Sequence, residues 1–365
     1  MIDTKQYYPL RKLTTFKIGG PAKSYVEVFD VEQLQEAIDA AGRSYEKILI
    51  LGGGSNVLIS DSGFDGMVIQ YSALGVDAEK QDQDHVWMRV QAGELWDGIA
   101  AYAVKNNFWG IENLSHIPGK SGAFAIQNVG AYGQDASQVV EEVETLEIAT
   151  GTKKIFSNSE CKFAYRKSIF NTEQKGKFVI LSVLLKLSKT PQPNLSYPDL
   201  QKAFPEGTND LAAIRSAIEK IRDAKFPYPY YPNAKGSAGS FFKNSIFSSE
   251  EFKILEKNFG RAYPDKITNL QAMRINARDP ERIKVPTAFL IETCGLKGLR
   301  SGGAKINEAQ PLVILNETGS ASSTEVLTLA NEVRDFIKNK TGLLIQFEPE
   351  LVGFSEKELT QLGLA

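Results

Sequence analysis

Apolar positions recur at two periods along this 365-residue chain, and the changes of period mark out its elements. Residues 25–29, Tyr-Val-Glu-Val-Phe, alternate every second position, the period of a half-buried strand. Asp30 then stands where a helix cap belongs, ahead of Val31, with Leu34, Ala37 and Ile38 on one helical face. Ile48-Leu-Ile-Leu51 is a short aliphatic run that reads as a buried strand, and Met67-Val-Ile-Gln-Tyr71 as another. These pieces predict a small α/β lobe. Farther on, residues 85–91 are strand-like, and residues 93–107 carry Leu95, Ile99 and Tyr102 at helical spacing. Residues 140–148 and 178–187 read as sheet strands. Prolines after Lys189 end that run.

Three helices follow in the second half. One starts at about Asp210, with Leu211, Ile214, Ile218 and Ile221 as its apolar stripe. It cannot pass Lys225-Phe-Pro-Tyr-Pro-Tyr-Tyr-Pro232. A second is capped by Ser248, with Glu251 three residues on, the capping-box pattern. The third begins near Ser323, places Val326, Leu329, Ala330, Val333 and Ile337 on one face, and stops at Gly342. Residues 343–352 predict a closing strand.

Between these elements lie stretches that fit neither period. Residues 117–134, IPGKSGAFAIQNVGAYGQ, hold four glycines, one proline and a single charged residue, Lys120. Glycine lets a ligand approach main-chain N–H groups closely, and Gln127 and Asn128 add amide donors and acceptors without charge. The stretch reads as backbone wrapped around something polar and partly anionic; a tight buried turn between sheets has the same composition. The aliphatic run ending at Leu51 leads straight into Gly52-Gly-Gly-Ser-Asn56, the strand-then-glycine order that presents N–H groups to a diphosphate. The third glycine of a dinucleotide fingerprint would fall on Val57, and no Gly-Lys-Ser/Thr follows. A nucleotide site here is therefore neither a Rossmann unit nor a P-loop. Residues 161–171, CKFAYRKSIFN, form an aromatic and basic cluster that reads by itself as a packed strand with Arg166 in solvent. Residues 235–244, KGSAGSFFKN, are a further small-residue loop carrying Ser240 and Lys243. Residues 290–304 hold four more glycines.

Composition narrows the function classes. The length suffices for two or three domains, and 42% hydrophobic with 24% charged residues is ordinary for a soluble globular protein. A net charge of −2 gives no nucleic-acid or membrane surface, so any site for an anion is local. Two distant cysteines lack metal-ligand spacing, which predicts no metal and a reducing compartment. The first residues lack the apolar core of a signal peptide, and no apolar run approaches the ~18 residues of a membrane span. A cytoplasmic protein is expected.

Taken in order, TTFKIGGPA, LGGGSNVLISD, IPG with IQNVGAYGQ, YRKSIF, GSAGSFFKN, GLKG and EPELVGF resemble the UDP-N-acetylenolpyruvoylglucosamine reductase family. The resemblance runs from about Leu13 to Phe354. It implies an α+β chain: an FAD-binding fold of the vanillyl-alcohol-oxidase/PCMH type in two α/β subdomains, plus a separate α+β substrate-binding domain. The expected boundaries are residues 1–75 and 76–205 for the subdomains, 206–345 for the substrate domain, and 346–365 for a closing strand and tail. The implied reaction reduces UDP-N-acetylglucosamine enolpyruvate to UDP-N-acetylmuramate, the hydride passing from NADPH to non-covalent FAD and on to the vinyl carbon. The implied chain is a bacterial monomer acting on small molecules, with no nucleic acid or membrane partner.

Residue roles follow from the same resemblance. FAD falls to Leu51, Gly52, Gly53, Gly54, Ser55 and Asn56, and to Ile117, Pro118, Gly119, Gly122, Ala123, Gln127, Asn128, Gly130, Ala131, Tyr132 and Gly133. Arg166 stabilises charge on the enolpyruvyl carboxylate, Ser240 protonates the enol, and Glu350 lies opposite. An enolate needs a fixed cation and a proton donor, so these types suit the chemistry. Serine is a weak acid, which leaves Lys243 or an ordered water as the candidate assistant. Tyr165, Tyr197, Lys225, Asn244 and Gln310 match substrate positions, with Tyr197 as the capping tyrosine of the type I subclass. The chain departs from the pattern at Ala125, Ser245 and Asn307, and its Pro/Tyr segment is a few residues longer than usual.

Two other readings share the scaffold. A flavin oxidase of a small alcohol or sugar would tether FAD through a histidine, and only His85 and His116 exist. A non-catalytic nucleotide-sugar binder would have no use for Arg166, Ser240 and Glu350 together.

Overall fold

The computed structural model describes residues 2–44, 46–275, 279 and 281–364. Its contacts divide into two compact units. One comprises Met1–Tyr8, Ala22–Gly53 and Asp65–Pro232; the other comprises Pro9–Pro21, Gly54–Phe64 and Asn233–Ala365. Sheets of several strands combine with helices in both, an α+β chain.

Among its described residues the first unit holds sheets of four and five strands, besides a two-stranded pairing within residues 130–135. The smaller has the strand order Lys5–Pro9, Pro21–Val28, Phe64–Tyr71, Lys47–Ile50, with the last pair parallel. The expected helix spans Val31–Arg43, and the Asp30 carboxylate accepts from the Gln33 N–H. The larger sheet is antiparallel throughout: Lys153–Ser157, Val140–Glu147, Phe178–Ser188, His85–Gln91, Val76–Gln81. Phe178–Ser188 lies in the middle and is buried along nearly its whole length, so it reads as a continuous apolar run rather than an alternation. Val183 stands between Val143 and Val90. A single core joins both sheets, from Val26 and Ile69 to Val183 and Leu185. The helix expected at residues 93–107 is shorter, Trp96–Lys105. Three strands escaped the sequence pattern: Lys5–Pro9, Val76–Gln81 and Lys153–Ser157 are largely exposed, and exposed strands need no apolar periodicity.

The second unit packs helices Ser249–Ala262, Ile267–Ile275, Thr287–Thr293 and Ser323–Thr341 with short strands around Phe252, Leu290, Val326 and Val333. The capping boxes at Ser248 and Ser322 form, and Gly342 ends the long helix at φ +77°. The closing strand differs from expectation. Only Glu350–Val352 is strand, running parallel to Val57–Ile59. Ahead of it, Gln346 and Glu348 bond instead to Lys243 and Phe241, and Pro349 divides the two pairings because it has no N–H to donate.

The carboxylate of Asp61 adds a second cap to the long helix, accepting from the N–H of Ser323 at 2.9 and 3.0 Å and from its hydroxyl at 2.8 Å. A negative group here also meets the positive end of the helix dipole. Asp61→Ala is expected to lower unfolding stability by about 1–2 kcal/mol in urea titrations. A change within error would mean that Ser322 and Glu325 suffice as the cap.

Candidate active site

The two glycine-rich stretches of the first unit meet backbone to backbone. A Cβ added to Gly53 would lie 2.7 Å from the Gly119 Cα and 3.2 Å from the Lys120 nitrogen, closer than carbon atoms approach. Gly52 is held from behind, its carbonyl accepting from the Gln70 amide at 2.8 Å. Lys120, the one charge in the centrepiece, donates to the Ser72 hydroxyl at 2.7 Å, and burial pulls its pKa down against the charge of Glu27. The surface left by these loops is neutral main chain.

The centrepiece is more ordered than its composition suggests. Ser121–Ile126 forms a short helix with Gln127 at its C-terminal end. Ile117 and Pro118 are half-buried, as are Ala123 and Ala131, while Gly122 is buried and bonds through its N–H to the Ala92 carbonyl. Gly130–Ala131 pairs with Gln134–Asp135 across a two-residue turn, Tyr132 and Gly133, at φ +48° and +89°. Beneath it, buried Glu112 accepts from Gln134 and Gly110, and Asn113 donates to the carbonyls of Tyr132 and Asn194. Burial raises the Glu112 pKa in spite of those donors.

Residues 161–171 correct the packed-strand reading of their residues taken alone. Ala164 and Lys167 exchange both main-chain hydrogen bonds at 3.0 Å, so Tyr165 and Arg166 form the tip of a tight hairpin. Arg166 sits at φ +56°, a conformation that costs a non-glycine residue about 1–2 kcal/mol. Three contacts hold it there. Its Nη1 donates to the Gly130 carbonyl at 3.0 Å, Asn171 donates to its carbonyl at 3.1 Å, and Asn128 donates to the Ala164 carbonyl at 3.0 Å. A guanidinium is thereby fixed at the edge of the glycine-rich loop.

Tyr197 and Lys225 also converge on that loop. The Tyr132 and Tyr197 rings meet edge to face at 5.0 Å, and the Lys225 ammonium lies 5.2 Å from one and 5.8 Å from the other. Burial alone would lower the Lys225 pKa, but the 2.8 Å bond to Asp199 and the neighbouring phenols keep it above its ordinary value. Burial raises that of Tyr197. Asp199 was not anticipated; its place two residues after Tyr197 was the available signal.

The remaining residues belong to the second unit. Leu51, Gly52 and Gly53 close the first unit's segment, whereas Gly54, Ser55 and Asn56 open one of the second's. Half-buried Ser240 bridges Val313, and Gln310 begins the turn that leads to it, its carbonyl accepting from Val313 at 2.9 Å. Asn244 accepts from the Thr287 N–H at 3.1 Å. Ser240, Lys243 and Asn244 thus share one extended segment, with Leu312–Val313 and Gln346–Glu348 bonded along it. Glu350 is exposed and donates its N–H to the Asn56 carbonyl at 3.0 Å. Among the described residues no cluster of His, Cys, Asp or Glu could hold a metal, and no helix is long and apolar enough to cross a membrane.

Neutral glycine loops on an α+β scaffold, with a fixed cation beside them, define a flavin-binding class outside the Rossmann fold, and residues 22–156 match the family description "FAD binding domain". Residues 231–352 match "UDP-N-acetylenolpyruvoylglucosamine reductase, C-terminal domain". The chain is 35% identical over 355 residues to the UDP-N-acetylenolpyruvoylglucosamine reductase of Porphyromonas gingivalis, covering 96% of this chain and 100% of that one. It is 34% identical, with the same coverage, to the enzyme of that name from Flavobacterium johnsoniae. The crystal structure of UDP-N-acetylenolpyruvylglucosamine reductase from Thermus caldophilus has the same fold, with a TM-score of 0.65 at 23% identity over 96% of this chain and 99% of that one. The chain belongs to the UDP-N-acetylenolpyruvoylglucosamine reductase family.

The loops fit FAD. Where Gly53 meets Gly119 there is no space for a side chain on Gly53, and the glycine-rich main chain carries no negative charge that would oppose a diphosphate. Gly53→Val is therefore expected to come out of purification with much less flavin than Lys154→Ala, a surface change. Absorbance of released flavin per chain measures this; equal contents would remove the cofactor from these loops.

Proposed function

We propose that this chain reduces the enolpyruvyl group of UDP-N-acetylglucosamine enolpyruvate to give UDP-N-acetylmuramate, with NADPH as reductant. The observation that carries the reading is Arg166, a cation held in a left-handed hairpin tip against the Gly130 carbonyl. Bound FAD supplies the two-electron chemistry that links NADPH oxidation to reduction of the vinyl double bond.

The chain's own residues do the rest. Reduction at the vinyl carbon moves charge onto the enolpyruvyl carboxylate, where the Arg166 guanidinium balances it. The Ser240 hydroxyl delivers a proton to the enol carbon, and Glu350 borders the site on the opposite side. Lys225, kept protonated by Asp199, suits the diphosphate of the UDP-sugar, and the Tyr132 and Tyr197 rings beside it offer stacking surface. Tyr165, Asn244 and Gln310 complete the substrate contacts. The tethered-oxidase alternative loses support from the histidines. His116 is bonded to Asp223 and stacked on Tyr228, and His85 pairs with Asp82 and packs on Trp87. Both cysteines are free, in keeping with a cytoplasmic enzyme.

Two kinetic outcomes follow. Ser240→Ala should leave bleaching of the flavin by NADPH near the wild-type rate and slow the return of colour on adding the enolpyruvyl substrate by about 10²–10⁴. Stopped-flow absorbance follows each half separately, and equal slowing of both halves would make Ser240 a structural residue. NADPH and the UDP-sugar are expected to use one site in turn, because the described residues contain no second glycine-rich nucleotide fold. Initial rates should give parallel double-reciprocal lines; intersecting lines would establish a ternary complex.

A further inference from the structure

His116 immediately precedes the Ile117-Pro118-Gly119 stretch and is held from every side. It is buried, at φ +62°, a backbone region that non-glycine residues rarely adopt. Its N–H donates to Asp97 at 2.6 Å, and its carbonyl accepts from the Arg222 Nε at 2.8 Å. The ring nitrogen Nε2 lies 3.0 Å from the Asp223 carboxylate. The ring stacks on Tyr228 at 4.2 Å and 24°, and Tyr231 lies at 5.9 Å.

The partners are themselves fixed. Arg215 grips Asp97 with two bonds, at 2.8 and 3.0 Å, and also pairs with Glu219. Burial disfavours the Asp97 carboxylate, yet Arg215 and the His116 N–H hold its pKa below the ordinary value. Asp223 accepts from the Tyr228 N–H and the Tyr231 hydroxyl, both at 3.2 Å. Tyr228 and Tyr231 come from the Pro/Tyr segment, residues 226–232.

We propose that His116 is a positioning residue for the cofactor, and that the Pro/Tyr segment is the device that fixes it. His116 hangs the main chain of residues 117–119 from Asp97, Arg222 and Asp223, and Tyr228 closes over its ring. The loop is thereby held in place before FAD arrives, the Tyr230 hydroxyl adding a bond from the Gly119 N–H, and the cofactor leaves slowly because the loop is already ordered. The aromatic cluster is built for the loop and not for substrate. This rests on the placement of FAD against Gly53 and Gly119.

The test is the rate at which FAD leaves the full-length chain, read from the fluorescence of released flavin after dilution. His116→Gln and Asp223→Asn should each speed release by about tenfold or more, the effect of losing a hydrogen bond to a charged group. The double variant should release FAD no faster than either single one, because the two residues act through one bond. Tyr228→Phe, which keeps the ring, should match wild type, and Tyr228→Ala should not. Release within twofold of wild type in His116→Gln, or single effects that multiply in the double variant, would overturn the proposal. If His116→Gln fails to fold, Asp223→Asn and Tyr228→Ala decide the matter by the same rate. Gly53→Val separates the two levels: weak flavin there with wild-type release in His116→Gln sinks only this proposal. Full flavin in Gly53→Val sinks the placement and the proposal with it.

Discussion

The structure of the candidate site depends on one steric constraint: Gly53 approaches Gly119 so closely that no side chain would fit at Gly53. That approach brings together loops more than sixty residues apart, one leaving the strand Lys47–Ile50 and the other preceding the helix Ser121–Ile126. It can exist only because both sheets share a continuous core, which fixes the ends of the strands that carry the loops.

Around this contact the chain holds several residues in left-handed backbone conformations. His116, Asn128, Tyr132 and Arg166 all have positive φ, and all lie in or against the centrepiece. Such conformations persist only where the surroundings fix them more than once, and they collect at functional sites for that reason. Each is tied down here. Asn128 is bonded through both ends of its amide, to Ala164 and Ser137, and Arg166 through its guanidinium and its carbonyl. The buried Glu112–Gln134–Asn113 network supports the Tyr132 turn from below. Rigidity of this kind is what a main-chain binding site requires.

The second unit solves a different problem. Its reactive candidate, Ser240, sits on an extended segment bonded on one side to Leu312–Val313 and on the other to Gln346–Glu348. The buried rings of Phe241 and Phe242 anchor that segment against Phe347. A proton donor must hold its distance from a reacting carbon, and a segment braced on both edges does so better than a free loop. Arg166 belongs to the first unit, and Ser240, Asn244 and Glu350 belong to the second.

Much of this was legible in the chain. The caps at Asp30 and Ser248, the stop at Gly342 and the buried strand through Val183 are local or periodic features, written in neighbouring residues. The ordered motifs announced the family. Other features were set only by tertiary structure. Arg166 read as a solvated strand residue because nothing in Tyr-Arg-Lys-Ser specifies a positive φ; Gly130, Asn128 and Asn171, distant in sequence or turned by the hairpin, impose it. The choice of Val57–Ile59 as partner for the strand ending at Val352 was a tertiary outcome, and Asp61 became a helix cap for a serine 262 residues later. His116 was one of two histidines without a visible partner until the helix Leu211–Lys225 brought Arg222 and Asp223 to it. Sequence determines whatever depends on spacing within a turn or a strand; contacts between distant segments, and the strained backbone they sustain, arise only once the core has closed.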